Sequence, residues 1–345
     1  FWLKPLFGSR FSKPSLLAPS AAPVAGCLEA VMCLTCPEPV RKTLFLVRHG
    51  EAEHNILERD AKIRGAVKAE ELGHAPGSGP HKELVEAARR AVLEMPHLHD
   101  AGLSSAGKAE AAVARREICM LTEGTAEGLN GEPLPWPTAV FSSPLQRTLQ
   151  TTAILFPEHP GTHIREFLRE RRTGLPCDER RLATEIRRRP SFMHMSSNDL
   201  QKLDSDSECY CGLSNSLDAL LEDKETLRKR TACLAAFLDE MEDSCVCLVT
   251  HKGFLRELER GPLGQPEAAE FANCEVRVYE VVLNKVDGSM ASTLRYKGGQ
   301  RHSTTTRRTK LLVPPLCGQT VLRSPRGSSH VSPRRIEEAT ALAML

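Results

Sequence analysis

Two histidines in this chain stand where apolar runs end, each with a glycine within two residues. In "TLFLVRHGEAEHN" Arg48, His49 and Gly50 follow the run that ends at Val47. In "CVCLVTHKGFL" His251 and Gly253 follow the run 245–250. Between them lie Arg147, in "SSPLQRTLQTT", and two carboxylates, Glu166 and Glu170, in "EFLRERRTGLPCDERR". Taken singly, each has an ordinary reading. A histidine after a strand is usually structural, an arginine in a first helical turn is usually solvated, and the charge run at 165–189 reads as an exposed face. Together, two imidazoles and two guanidiniums make a cationic site suited to a phosphoryl group, because arginine's planar fork matches phosphate oxygens.

The elements that must hold these residues alternate. The runs 43–48, 138–143, 245–250 and 275–283 are rich in Val, Leu and Phe and read as strands, the first three nearly all apolar as strands buried on both faces are. Helices are expected over 104–121, over 143–156 with Ser143 as N-cap and Pro144 at the first helical position, and over 214–241 as one helix or two. This alternation predicts an α/β fold, a three-layer α/β/α sandwich with a mainly parallel central sheet. In such sheets ligands bind outside the carboxyl ends of the strands, where the candidate residues fall. Residues 56–98 read as an excursion, with a loop at 74–80 and a short amphipathic helix at 81–95, able to shape the site or simply be solvated.

The chain has 345 residues, 41% of them hydrophobic and 26% charged, enough to bury a core. Its formal net charge of +2 points to neither nucleic acid nor membrane as a general partner, and no apolar run approaches the roughly 20 residues that span a bilayer. Residues 1–40 are rich in Ser, Pro, Ala and Leu, with Lys4, Arg10 and Lys13 and no acid before Glu29. They read as a leader, transit-like or disordered. Residues 299–345 read as a basic disordered tail, with Ser-Pro sites at 324–325 and 332–333. The domain between is expected over 41–298. Of twelve cysteines only Cys33 and Cys36 have CxxC spacing; Cys209/Cys211 and Cys245/Cys247 are one residue apart, and the latter pair shares one face of a strand. Free, reduced thiols are expected ahead of zinc or disulfides, which implies a reducing compartment. The expected location is cytoplasmic, or organellar if the leader is a transit segment.

"LVRHGEAEHN", "DAGLSSAGKAEA", "SSPLQRTLQTT", "LRERRTG" and "LVTHKGFL" occur in that order, and together they resemble the histidine phosphatase superfamily, the phosphoglycerate-mutase-like proteins. The resemblance spans roughly 43–285 and leaves out the tails and the 56–98 excursion. It implies that His49 is the nucleophile, which attacks a phosphomonoester and becomes phosphohistidine before water releases phosphate. It implies that Arg48, Arg147 and Asn55 bind the phosphoryl group, and that His251 completes the catalytic set. Glu170 matches the general acid by position, with Glu166 as the fallback, provided the neighbouring Arg169, Arg171 and Arg172 turn away. Neither metal nor other cofactor is implied. Lys252 departs from the small residue frequent at that place, and can add a cation at the rim or merely reach solvent. Gly50 is expected to let substrate approach the backbone.

The function implied is hydrolysis of phosphomonoesters on a small molecule or a phosphoprotein. A phosphoglycerate-type mutase is the nearest alternative, although the longer mutase pattern around the acid is incomplete here. A catalytically weak phospho-ligand or protein-binding module is the alternative of another class, since fold does not fix function. RNA binding by the basic tail rests on composition alone.

Overall fold

In the computed structural model, residues 38–298 are described, apart from 128, 130–131, 158 and, within 190–220, all but Phe192, Asp199 and Leu203. The chain divides into two units, residues 1–300 and 301–345. Most of the leader, the pairs Cys33/Cys36 and Cys209/Cys211, the tail and its Ser-Pro sites lie outside the described residues. The strands are β1 (Val40–Arg48), β2 (Ala139–Ser142), β3 (Thr162–Ile164), β4 (Cys245–Thr250), β5 (Val276–Leu283) and β6 (Met290–Lys297). The helices are α1 (Glu53–Glu71), α2 (Gly79–Leu93), α3 (Ser105–Glu123), α4 (Gln146–Leu155), α5 (Ala183–Arg187), α6 (Lys224–Ala232), α7 (Leu234–Asp239) and α8 (Lys252–Arg260).

The strands form one sheet in the order β3-β2-β4-β1-β5-β6. The four from β3 to β1 pair in parallel, and β5 runs antiparallel to both β1 and β6. Strand side chains alternate between faces, and each face carries its own core. Leu44, Leu46, Val246 and Leu248 pack with Leu227 of α6, Phe237 of α7 and Phe254 and Leu258 of α8. Phe45, Val47, Cys245, Cys247 and Val249 pack with Ala111, Ala114 and Ile118 of α3 and Leu155 of α4. The result is the expected three-layer sandwich with a mainly parallel sheet. Cys245 and Cys247 do share one face.

Three expectations need correction. The excursion is a helical hairpin, and its first arm, α1, was not expected. Its sequence "EHNILERDAKIRGAVKAEE" scatters polar and apolar residues around the helix, so no stripe marks it. The arms meet closely at Gly65, where a Cβ would fall 2.9 Å from the Val85 Cα. Second, α4 begins at Gln146, so Ser143 and Pro144 precede it. Third, Cys119, Cys177, Cys245, Cys247 and Cys274 are free, but Cys233 is disulfide-bonded. It is only half-buried, whereas most of the free thiols are sealed in the core. No helix among the described residues is long and apolar enough to cross a membrane.

Candidate active site

The parallel register brings the carboxyl ends of β1, β4 and β2 level, Arg48 opposite Thr250 and Ser142 opposite Val249. His49 leaves β1 there, and its backbone N–H donates to the Thr250 carbonyl at 3.0 Å. His251 leaves β4 at the same edge and occupies the position just before α8. The two imidazole rings stand 5.1 Å apart between centroids. Both are buried, and both are held neutral. Burial, then Arg147 and Arg48, push His49 well below the usual imidazole range. Burial, then Arg147 and His49, do the same to His251.

Hydrogen bonds orient both rings. His49 Nδ1 lies 2.7 Å from the Gly50 carbonyl, so in the neutral ring Nδ1 carries the proton and Nε2 keeps a free lone pair. His251 Nδ1 accepts from Arg147 Nε at 3.3 Å, and its Nε2 lies 2.8 Å from Ser143 Oγ. Ser143, expected to cap α4, is thus the partner of His251, and at the helix start its Oγ accepts only the Leu145 N–H, at 3.4 Å. The cap of α4 is supplied from afar, by Asp100, whose Oδ1 accepts from the Gln146 N–H at 2.7 Å.

Arg147 sits one residue into α4 and is almost fully buried. Besides His251, it donates to the Cys177 carbonyl at 2.5 Å and to Asp178 Oδ1 at 3.1 Å. One turn on, Thr151 Oγ1 accepts the Gly50 N–H at 3.2 Å, so α4 fixes both sides of the edge. Arg48 donates to the Phe271 carbonyl at 2.8 Å, and its buried Nε has no partner among the described residues. A guanidinium with an unpaired buried N–H at a strand end is ready for an anion's oxygen.

Glu166 and Glu170 have separate environments. Glu166 is clamped by Arg169 at 2.7 Å, Arg180 at 3.0 Å and Arg172 at 3.4 Å. These charges outweigh its burial and hold the carboxyl below its ordinary range. Arg169 and Arg172 are therefore turned away from Glu170. The Glu170 carboxylate accepts from the Arg171 N–H at 2.9 Å and from the Gly253 N–H at 3.2 Å, at the start of α8 beside His251. A Cβ on Gly253 would overlap it. The 166–170 turn is pinned by Arg230, which donates to the Phe167 and Arg169 carbonyls at 2.7 and 2.6 Å, and by Thr250 Oγ1, which donates to the Leu168 carbonyl.

Asn55 lies in the first turn of α1. Its Oδ1 accepts the Ala52 N–H at 3.0 Å, which half-closes the helix start, and its Nδ2 meets His54 Nε2 at 3.0 Å. Lys252 pairs with Glu270 at 3.2 Å on the surface. The space that a side chain on Gly50 would take is filled by protein. A Cβ there would lie 2.5 Å from the Gly107 carbonyl oxygen, so the glycine lets the β1–α1 loop rest on the start of α3. Ser104, the N-cap of α3, also donates to Glu51 at 3.2 Å, and Ala52 bridges to Leu103.

Sequence reasoning missed Asp100, Asp178, Ser143 as a histidine partner, and His54. Asp100 stands at the head of the quoted "DAGLSSAGKAEA", and Asp178 inside "GLPCDERR". Their roles depend on partners 46 and 31 residues away.

Residues 123–287 match the histidine phosphatase superfamily (branch 1), a stretch that contains Arg147, Glu166, Glu170 and His251. Arg48, His49 and Asn55 precede it. No curated protein matches the chain in sequence. Among solved structures, it is similar to a phosphoserine phosphatase from Entamoeba histolytica in complex with 3-phosphoglyceric acid, at 16% identity and a TM-score of 0.38 over 75% of this chain and 98% of that one. A mycobacterial glucosyl-3-phosphoglycerate phosphatase aligns at 15% identity and 0.39 over 73% and 96%. A mycobacterial hydrolase aligns at 16% and 0.40 over 75% and 100%.

Proposed function

We propose that this chain, whose residues 123–287 match the histidine phosphatase superfamily, belongs to that superfamily and hydrolyses phosphomonoesters through a phosphohistidine formed on His49. The observation that carries the reading is the state of His49. It is a buried, neutral imidazole whose Nδ1 is tied to the Gly50 carbonyl and whose Nε2 lone pair is free, with Arg48 and Arg147 both close enough to suppress its protonation.

In the proposed route Arg48 and Arg147 hold the phosphoryl oxygens, and Asn55 stands at the same edge. His49 Nε2 attacks phosphorus in line as the ester P–O bond breaks, and Glu170 gives its proton to the departing oxygen. Water then attacks phosphorus, the P–N bond breaks, and Glu170 takes the water proton. The Gly50 carbonyl keeps the Nδ1 proton in place throughout. Charge on the transferring group is balanced by the guanidiniums and the start of α8, while neutral His251 holds Arg147 through its Nδ1. Glu170 serves better than Glu166, whose carboxylate is held ionised by three arginines.

The test is to incubate the full chain with a generic phosphomonoester and look for acid-labile, base-stable phosphate on the protein. Wild type should carry it and release inorganic phosphate. His49→Ala should lose both, with turnover down by several orders of magnitude because the covalent route is closed. No turnover by wild type across many esters would sink the reading. Product isomers without net phosphate release would replace it with the mutase.

A further inference from the structure

His54 is a buried imidazole that the route above does not use. It lies in the first turn of α1 and is 6% exposed. Its neighbours set its tautomer. Asn55 Oδ1 accepts the Ala52 N–H at 3.0 Å, so the group 3.0 Å from His54 Nε2 is the amide Nδ2. An amide NH₂ only donates, so Nε2 is an acceptor and the single proton of a neutral ring sits on Nδ1. The ring is neutral: burial and then Arg147 push its protonation down to about 3. Nδ1 is itself buried and has no hydrogen-bond partner among the described residues.

A buried donor with no acceptor is rare and costly. Its surroundings identify what is missing. Arg147 and Arg48 both act on the charge of His54, and His54 acts in turn on that of His49. Guanidiniums have no lone pair to offer. Glu58, which also acts on His54, has its Oε1 taken by Lys62 and Arg89, each at 2.7 Å. An anion's oxygen bound between Arg48 and Arg147 would be an acceptor in the right company.

We propose that His54 Nδ1 donates a hydrogen bond to a nonbridging oxygen of the bound phosphoryl group. It is a neutral donor beside the two guanidiniums, held in aim by Asn55. The assignment rests on the phosphoryl reading of the site and adds to it a residue that binds the ligand directly.

The experiment measures inorganic phosphate binding to the full chain at pH 7 by calorimetry, in wild type, His54→Asn and His54→Gln. Asparagine places its Nδ2 where Nδ1 stands; glutamine places its amide where Nε2 stands, near Asn55. Phosphate should bind the glutamine variant about 10- to 100-fold more weakly, as expected for one lost hydrogen bond to a charged group, and the asparagine variant within about threefold of wild type. A merely structural His54 would give the opposite order, because only glutamine keeps the contact to Asn55. Unchanged phosphate affinity in His54→Gln would overturn the proposal. Wild type offers a check that needs no variant: the Nδ1 proton resonance of His54 should move downfield when phosphate is added, and a resonance that stays put would overturn it equally. A wild type that binds phosphate with this pattern but turns over no ester would leave the assignment standing and remove the hydrolase. Ester turnover with phosphate affinity unchanged in His54→Gln would do the reverse.

Discussion

Arg147 Nε donates to His251 Nδ1 at 3.3 Å, with both side chains buried. The bond leaves the proton of His251 on Nε2, facing Ser143 Oγ at 2.8 Å. One guanidinium thus sets the tautomer of a histidine 104 residues away, and Asp178 in turn holds that guanidinium.

Asp178→Ala should leave the Arg147 charge in a buried site without its carboxylate. Breaking a buried pair from one side costs about 3–5 kcal/mol. Urea unfolding should show that loss, and kcat/KM should fall at least about tenfold as Arg147 drifts. Asp178→Asn, which keeps an acceptor, should be milder in both. Unchanged stability in the alanine variant would mean that the Cys177 carbonyl alone suffices to hold Arg147.

Asp100→Ala should remove the N-cap of α4 at a cost of about 1 kcal/mol. Ser143→Ala should touch the helix start only through the long Leu145 N–H bond at 3.4 Å, and mainly strip His251 Nε2 of its partner. The two variants should therefore separate, the first in thermal unfolding and the second in turnover. Equal thermal losses would return the capping role to Ser143.

Glu170→Gln should slow alkyl phosphates, which need a proton on the leaving oxygen, far more than an activated aryl phosphate. Glu166→Gln should act mainly on stability, since it takes a negative partner from three buried or half-buried arginines. Equal loss on both esters in Glu170→Gln would move the acid role to Glu166.

The two glycines should respond differently to alanine. At Gly50 the new methyl meets the fixed backbone of Gly107, so destabilisation of about 1–3 kcal/mol or more is expected. At Gly253 it meets the end of the Glu170 side chain, which can swing aside. Gly253→Ala should keep the melting temperature within a few degrees and lose turnover.

Stability should fall as the medium is acidified. His49, His54 and His251 all have folded-state values below the ordinary imidazole value of 6.5. Below that value the unfolded chain binds protons that the folded chain refuses, so unfolding free energy rises with pH across this window. Each such histidine contributes a slope of about 1.4 kcal/mol per pH unit, and for His54 the window extends down to about 3. Denaturant unfolding between pH 7 and 5 should show this slope, and His54→Asn should reduce it by up to one proton. A flat profile would mean that the buried rings are already protonated.

How much was legible in the sequence differs from residue to residue. β1 and β4 were readable because burial on both faces leaves unbroken apolar runs, and α3 because Ser104 caps it and an apolar stripe follows. α1 carries no such stripe. Its start is built by Asn55 and the Ala52 backbone against α3, so its sequence reads as an excursion.

By itself, then, the sequence determined that two His–Gly turns leave apolar strands and that an arginine follows a third, because strand runs and turn residues are local signals. Only the tertiary structure decided what those residues do. It put Gly50 against Gly107 and Gly253 against Glu170, assigned three arginines to Glu166, capped α4 with Asp100, and left His54 Nδ1 without an acceptor. Apart from the Glu166 arginines, which lie within 14 residues of it, and the His54 tautomer, which follows from a hydrogen-bond direction, each of these is a contact between groups far apart in the chain. Neither long-range contacts nor hydrogen-bond directions leave a mark in residue order.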